Sequence, residues 1–312
     1  MGYTVIHEQE RTTTVDRATA LPPASLIICS RNRPALLLRS VESVLRGDAV
    51  PAELIIIDQS DEPHPILATL RPERDCTIRY VRAQVAGLSP ANNLGMRHAR
   101  HGIFVFTHDD VEVATDWFST LVRALVALGP RTLVTGQALP SPTMPPGNFA
   151  PSLKVDARPA VYRGRIPEDP LCPFNMAMYR TLIDEIGGFD ECLGAGARFP
   201  AAEDNDFGFR LLRAGYQMVY LPNAIIYHIA WRTVNDHVPL QWNYGRGQGA
   251  YYAKYLFGEG RATAYFLRRM AKDFAYCLYR FMRLVRHQRN EALGYLTYIA
   301  GFLSGAGEWL RH

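Results

Sequence analysis

Residues 103–112 read IFVFTHDDVE. Four bulky apolar residues, Ile103–Phe106, give way at once to Thr107, His108, Asp109 and Asp110. A short unbroken apolar run with polar ends is the pattern of a strand buried on both faces. The acids then fall where that strand stops. The pattern recurs upstream: LIIC at Leu26–Cys29 runs into Ser30-Arg31-Asn32-Arg33, and LIII at Leu54–Ile57 runs into Asp58-Gln59-Ser60-Asp61. Ile78–Val81, Leu133–Gly136 and Ala224–Tyr227 add further strands. Helical spacing fills the intervals at Leu36–Arg46, Pro90–Arg100 and Trp117–Leu128. Strands alternating with helices predict an α/β fold with a mostly parallel sheet and helices on both faces. Ligands of such sheets bind at the carboxyl ends of the strands, so three polar strand ends converge on one crevice.

The chain has 312 residues, 48% of them hydrophobic and 21% charged, which excludes a disordered or low-complexity protein. Five cysteines without a close pair make a poor disulfide framework and predict a reduced, cytoplasmic protein. The polar start, with no apolar run, does not read as a signal peptide, and no run of about 18 apolar residues predicts a spanning helix. The net charge of +4 is unevenly placed. Residues 261–312 hold nine Lys and Arg against three acids, leaving the rest of the chain slightly acidic. Three regions follow: an extension at 1–22, a ligand-binding body at 23–235, and a loop with a helical tail at 236–312.

The polar clusters each have a plain and a functional reading. Asp109-Asp110 is an acidic turn, or a pair whose repulsion is relieved by a divalent cation. Asp58 closes a turn, or accepts from a nucleobase or ribose. Glu203 and Asp204 favour a helix N-terminus, or supply a general base. His228 is a structural histidine unless the chain folds it back toward Asp110.

Taken in order, these segments resemble a known family. They are Ser30–Arg33, Ile57-Asp58, GLSPANNLG at 87–95, the Asp-Asp after a strand, Asn175-Met176-Ala177, GGFDE at 187–191, and Glu203–Asp206 followed by Arg210 and AGY at 214–216. The chain is similar over about residues 24–230 to the inverting GT-A glycosyltransferases of family 2. The resemblance implies a UDP-, dTDP- or GDP-sugar donor, a divalent Mn2+ or Mg2+ ion, and a glycan, lipid-linked or natural-product acceptor. It implies donor contacts at Ser30, Arg31, Asn32, Asp58, Asn92, Asn93 and Asp109. Asp110 would be the direct metal ligand, with Asp109 and His228 completing the site, and Asp204 the general base with Glu203 beside it. His108 replaces the first acid of the family's DxD motif, and Gln59 replaces a second acid after Asp58. The Gln-x-x-Arg-Trp signature of processive members is absent, which implies a non-processive enzyme. The alternative is a non-catalytic nucleotide-sugar binder of the same fold.

Between body and tail, Tyr244–Tyr251 (YGRGQGAY) reads as a loop that closes over the diphosphate, with Arg246 in contact, or as a plain linker. From Arg261 to Arg289 a helical projection gathers the cations on one side and Phe266, Met270, Phe274, Cys277, Phe281 and Leu284 on the other. Such a helix lies peripherally on the anionic inner face of a membrane, or packs on the body or on a second copy in a homodimer. No aromatic platform accompanies the arginines, so nucleic acid is not expected.

Overall fold

The computed structural model describes residues 20–70, 74–84, 86–166, 169–257 and 263–311. Residues 1–19 of the expected extension and Arg261 lie outside them. The first strands, β1 (Ser25–Ser30) and β2 (Glu53–Asp58), are buried along their whole length. With β3 (Thr77–Arg82) and β4 (Ile103–His108) they form the parallel order β3-β2-β1-β4. The register pairs Ser30 with Asp58 and Cys29 with His108, so the carboxyl ends of three strands finish at one level.

Alternate residues of these strands feed two cores, as the two-residue repeat of a strand requires. Leu26, Ile28, Leu54, Ile56 and Val105 pack under α1 (Pro34–Leu45) and α3 (Trp117–Leu128). Ile27, Ile55, Ile57, Phe104 and Phe106 pack under α2 (Leu88–His98) and a later helix. Burial on both faces is why these strands read as continuous apolar runs. Pro34 sits in the first turn of α1, where its missing N–H costs nothing.

Beyond β4 the sheet becomes mixed. β8 (Asn175–Tyr179) is inserted antiparallel between β4 and β6 (Thr132–Pro140). β9 (Gln217–His228) runs parallel to β6 and antiparallel to β5 (Val111–Val113) and β7 (Ala160–Arg163). The expected strand at 224–227 is therefore the last third of a longer one. Helix α4 (Arg180–Ile186) leads to α5 (Glu203–Arg213), whose first turn contains the acids expected just before it.

The C-terminal region differs most from the reading of the sequence. Tyr244–Tyr251 lies inside α6 (His237–Phe257), the helix expected over 261–289 is α7 (Thr263–Leu284), and a further helix, α8 (Arg289–Trp309), follows it. The glycines of α6 serve helix packing and not loop freedom. A Cβ on Gly245 or Gly249 would stand 2.2 Å from the carbonyl oxygen of Tyr298 or 2.0 Å from that of Phe302 on α8. Gly301 and Gly305 of α8 face the carbonyls of Trp242 and Arg246 in return. The two backbones touch because neither has side chains between them. A third core, Tyr251, Tyr252, Tyr255, Phe266 and Phe302, joins these helices to α5 through Phe209. All five cysteines are free. Among the described residues no helix is long and apolar enough to cross a membrane.

Gly249→Ala forces a methyl group into that contact and is expected to cost about 1–3 kcal/mol in urea denaturation. Gly307→Ala, where a Cβ meets nothing within 4 Å, is expected to be neutral or to stabilise by up to about 1 kcal/mol.

Candidate functional site

The strand ends open onto a cleft of about 830 Å³, lined on one part by Ser30, Arg31, Arg33, Asp109, Asp110 and His228. Glu203, Asp204, Tyr244, Gln248 and Tyr298 line it as well, so α6 and α8 complete the wall. A volume of this size suits a ligand larger than a simple sugar.

Asp109 and Asp110 follow β4 directly and are 5% and 7% exposed. Two buried neighbouring carboxylates repel, and the fold answers with donors from the loop after β1. Ser30 Oγ donates to Asp109 Oδ2 at 2.7 Å. Arg33 Nη1 lies 3.0 Å from Asp110 Oδ2 and 3.4 Å from Asp109 Oδ1. These contacts do not fully compensate. Burial, and after it the charge of Asp110, pushes Asp109 up to about 6.

The antiparallel pairing of β5 with β9 sets His228 opposite Val111, and Ile229 N–H donates to the Asp110 carbonyl at 2.9 Å. His228 thus does fold back beside Asp110. Phe174 packs against His228 and His108, ring centroids 5.8 and 4.8 Å away. Burial lowers His228 and brings His108 down to about 4, so both imidazoles are neutral at pH 7. Three buried atoms here have no hydrogen-bond partner: Asp110 Oδ1, His228 Nδ1 and His108 Nε2. Unpaired buried polar atoms are costly and rare in folded proteins. One carboxylate oxygen with neutral imidazole nitrogens is a donor set that suits a divalent transition ion. Among the described residues no three such side chains already form a cage, and the Arg33 guanidinium lies against the carboxylates.

Glu203 and Asp204 occupy the first turn of α5, behind Ala202, a non-glycine residue in the left-handed region (φ 71°). Backbone in this region costs about 1–3 kcal/mol and recurs at functional sites. Burial, then the charge of Glu203, pushes Asp204 well above the usual carboxylate range, and burial raises Glu203. The neighbouring acid is different in kind. Burial would raise Asp206, but Arg210 and Lys254 hold it low. Lys254 Nζ spans Asp206 Oδ1 and Asp190 Oδ2, both at 2.7 Å, and so fastens α6 to the start of α5.

Other expected residues stand away from the cleft lining. Asp58 is 1% exposed, with its oxygens engaged by Ser60 N–H at 2.9 Å, the Tyr80 hydroxyl and Arg82; its neighbour Gln59 reaches the cleft instead. Asn32 ties the β1 and β2 loops together through Ser60 and Asp61. Asn92 accepts from Cys29, and Asn93 brackets Phe189. Arg246 pairs with Glu308 across the glycine-packed helices, which corrects its expected place in a closing loop. Arg33 and Tyr298 carried no assigned role in the sequence, whereas Tyr244 and Gln248 belong to the segment expected to close over the diphosphate and do line the cleft. Arg33 shares its strand end with Ser30 and Arg31, whereas nothing local signals Tyr298.

Residues 25–186 match the family model described as Glycosyl transferase family 2. No curated protein matches the chain by sequence. The fold is similar to that of a mannosyltransferase, PcManGT, from Pyrobaculum calidifontis in complex with GDP-Man and Mn2+. There the TM-score is 0.60 at 16% identity, over 94% of this chain and 88% of that one. It is also similar to GalNAc-T7 with UDP, GalNAc and Mn2+ (TM-score 0.57, 17% identity, 84% of this chain and 58% of that one). A third likeness is to residues 1–349 of TarS from S. aureus (TM-score 0.51, 15% identity, 92% and 81%).

Arg33→Met leaves the carboxylate pair uncompensated. It is expected to lower the melting midpoint by a few degrees at pH 8. The loss should shrink as pH falls through about 6, where protonation of Asp109 relieves the repulsion.

Proposed function

The chain belongs to glycosyl transferase family 2 and is a glycosyltransferase. From that premise we propose that it transfers a sugar, with inversion, from a UDP-, dTDP- or GDP-sugar to an acceptor hydroxyl, using Asp204 as general base. One observation carries the reading. A single cleft is lined both by a carboxylate pair with orphaned polar atoms and by the buried Glu203 and half-buried Asp204, both of raised pKa. The complexes of the similar structures with GDP-Man or UDP and with Mn2+ support the donor class and the ion.

Asp110 and His228 would hold the ion, with Asp109 alongside. When bound, it offsets negative charge on the departing diphosphate. Arg31 and Arg33 line the same part of the cleft and supply further positive charge there. Ser30 fixes the Asp109 carboxylate through its hydroxyl.

Asp204 receives the proton of the acceptor hydroxyl as its oxygen bonds to the anomeric carbon and the bond to the diphosphate breaks. A base on the face opposite the leaving group yields inversion, by the geometric logic of inverting glycosidases. A base works best with a pKa near the working pH, and burial beside Glu203 moves Asp204 in that direction. Tyr244, Gln248 and Tyr298 present hydroxyl and amide groups from the C-terminal helices, which suits a polyhydroxylated acceptor such as a glycan or lipid-linked sugar.

Asp204→Asn is expected to lower kcat about 10²–10⁴-fold, measured by nucleoside diphosphate release, with donor affinity within about twofold of wild type. Wild-type turnover at the normal rate by this variant would overturn the assignment. In wild type, kcat/KM should fall tenfold per pH unit below the raised pKa of Asp204, because only the carboxylate accepts a proton. The raised pKa also means that stability is lost as pH rises through it. The Asn variant should therefore melt higher than wild type at neutral pH.

A further inference from the structure

Helix α7 has a buried face made by Phe266, Arg269 and Cys277, with Arg269 6% exposed and bonded to Asp169. Its outer face is not the wet polar surface of an ordinary amphipathic helix. Leu267, Leu278 and Met282 are 47% to 62% exposed, and Val285, in the turn just after the helix, is 39% exposed. With Thr263 at 0° and 100° per residue, the three helical ones fall between about 40° and 100°. Arg268, Lys272 and Arg283 follow at about 140° to 200° and are exposed, and Arg286 lies exposed in the turn after the helix. None of the four forms an ion pair among the described residues. The one acid of α7, Asp273, is turned inward to the Tyr252 hydroxyl at 2.6 Å. A ribbon of bare aliphatic side chains thus lies beside a ribbon of unpaired cations, with no exposed carboxylate on the helix.

We propose that this face of α7 docks on an anionic lipid surface, the aliphatic ribbon entering the headgroup region and the cations meeting lipid phosphates. The charge pattern selects this occupant. A second copy packed on the same face would bring arginine against arginine with no exposed acid to meet it. A bilayer with anionic headgroups satisfies both ribbons at once, since interfacial helices combine apolar burial with attraction to acidic lipids. The inference does not depend on the catalytic assignment, which concerns another surface.

The test is co-sedimentation of the full chain with vesicles of phosphatidylglycerol and phosphatidylcholine, against phosphatidylcholine alone. Binding is expected to the anionic vesicles and to weaken as salt rises. Arg268→Gln with Arg286→Gln should lower partitioning at least tenfold, since each surface cation contributes about a fivefold attraction. Met282→Gln should weaken the part that survives high salt. Unchanged melting midpoints and nucleoside diphosphate binding of the variants would show that the fold is intact. The proposal is overturned by absence of binding to anionic vesicles at low salt, or by equal binding to neutral ones. It is also overturned if the chain is a dimer that Met282→Glu splits while vesicle binding is untouched.

Discussion

Two carboxylates forced side by side at the end of a buried strand govern the architecture around them. Asp109 and Asp110 cannot both be charged and buried without compensation. The loop after β1 supplies that compensation through Ser30 and Arg33, while the far end of β9 sets His228 beside them. The parallel register of β1 and β4 puts the compensating loop in reach. The pairing of β5 with β9 brings residue 228 back across more than a hundred positions of sequence. One carboxylate oxygen and two imidazole nitrogens are left without hydrogen-bond partners.

Much of this was legible in the sequence because buried parallel strands leave an unambiguous trace. LIIC, LIII and IFVF can lie nowhere but between two helical layers, and the polar residues that end them must face the crevice. The antiparallel members were harder to see. β5 is three residues long and β7 is a partly exposed edge strand, so neither carries a periodic signal. Asp58, Asn92 and Asn93 show the limit of assigning side chains by position. Each sits where a donor contact is expected, and each is already engaged within the fold: Asp58 by Ser60, Asn92 by Cys29 of β1, and Asn93 by Phe189.

The C-terminal helices show a second limit. Glycine clusters mean backbone freedom in one setting and close backbone approach in another. Gly245 and Gly249 belong to the second, and only Tyr298 and Phe302, some fifty residues later, reveal it. Arg269 likewise projects with the exposed cations on a helical wheel but turns inward to Asp169, a hundred residues earlier. The aromatic side of α7 was read correctly, since Phe266 and Cys277 are buried. These helices also finish the wall of the cleft, although their sequence says least about it.

The unpartnered atoms of Asp110, His228 and His108 are proposed as a cation site. A crystal structure with Mn2+ and a nucleoside diphosphate, phased at the manganese edge, tests this most directly. The account predicts one anomalous peak bonded to Asp110 and His228, with Arg33 withdrawn from the carboxylates. A peak elsewhere, or Arg33 still seated on Asp110 with nucleotide bound and no ion beside it, would contradict it.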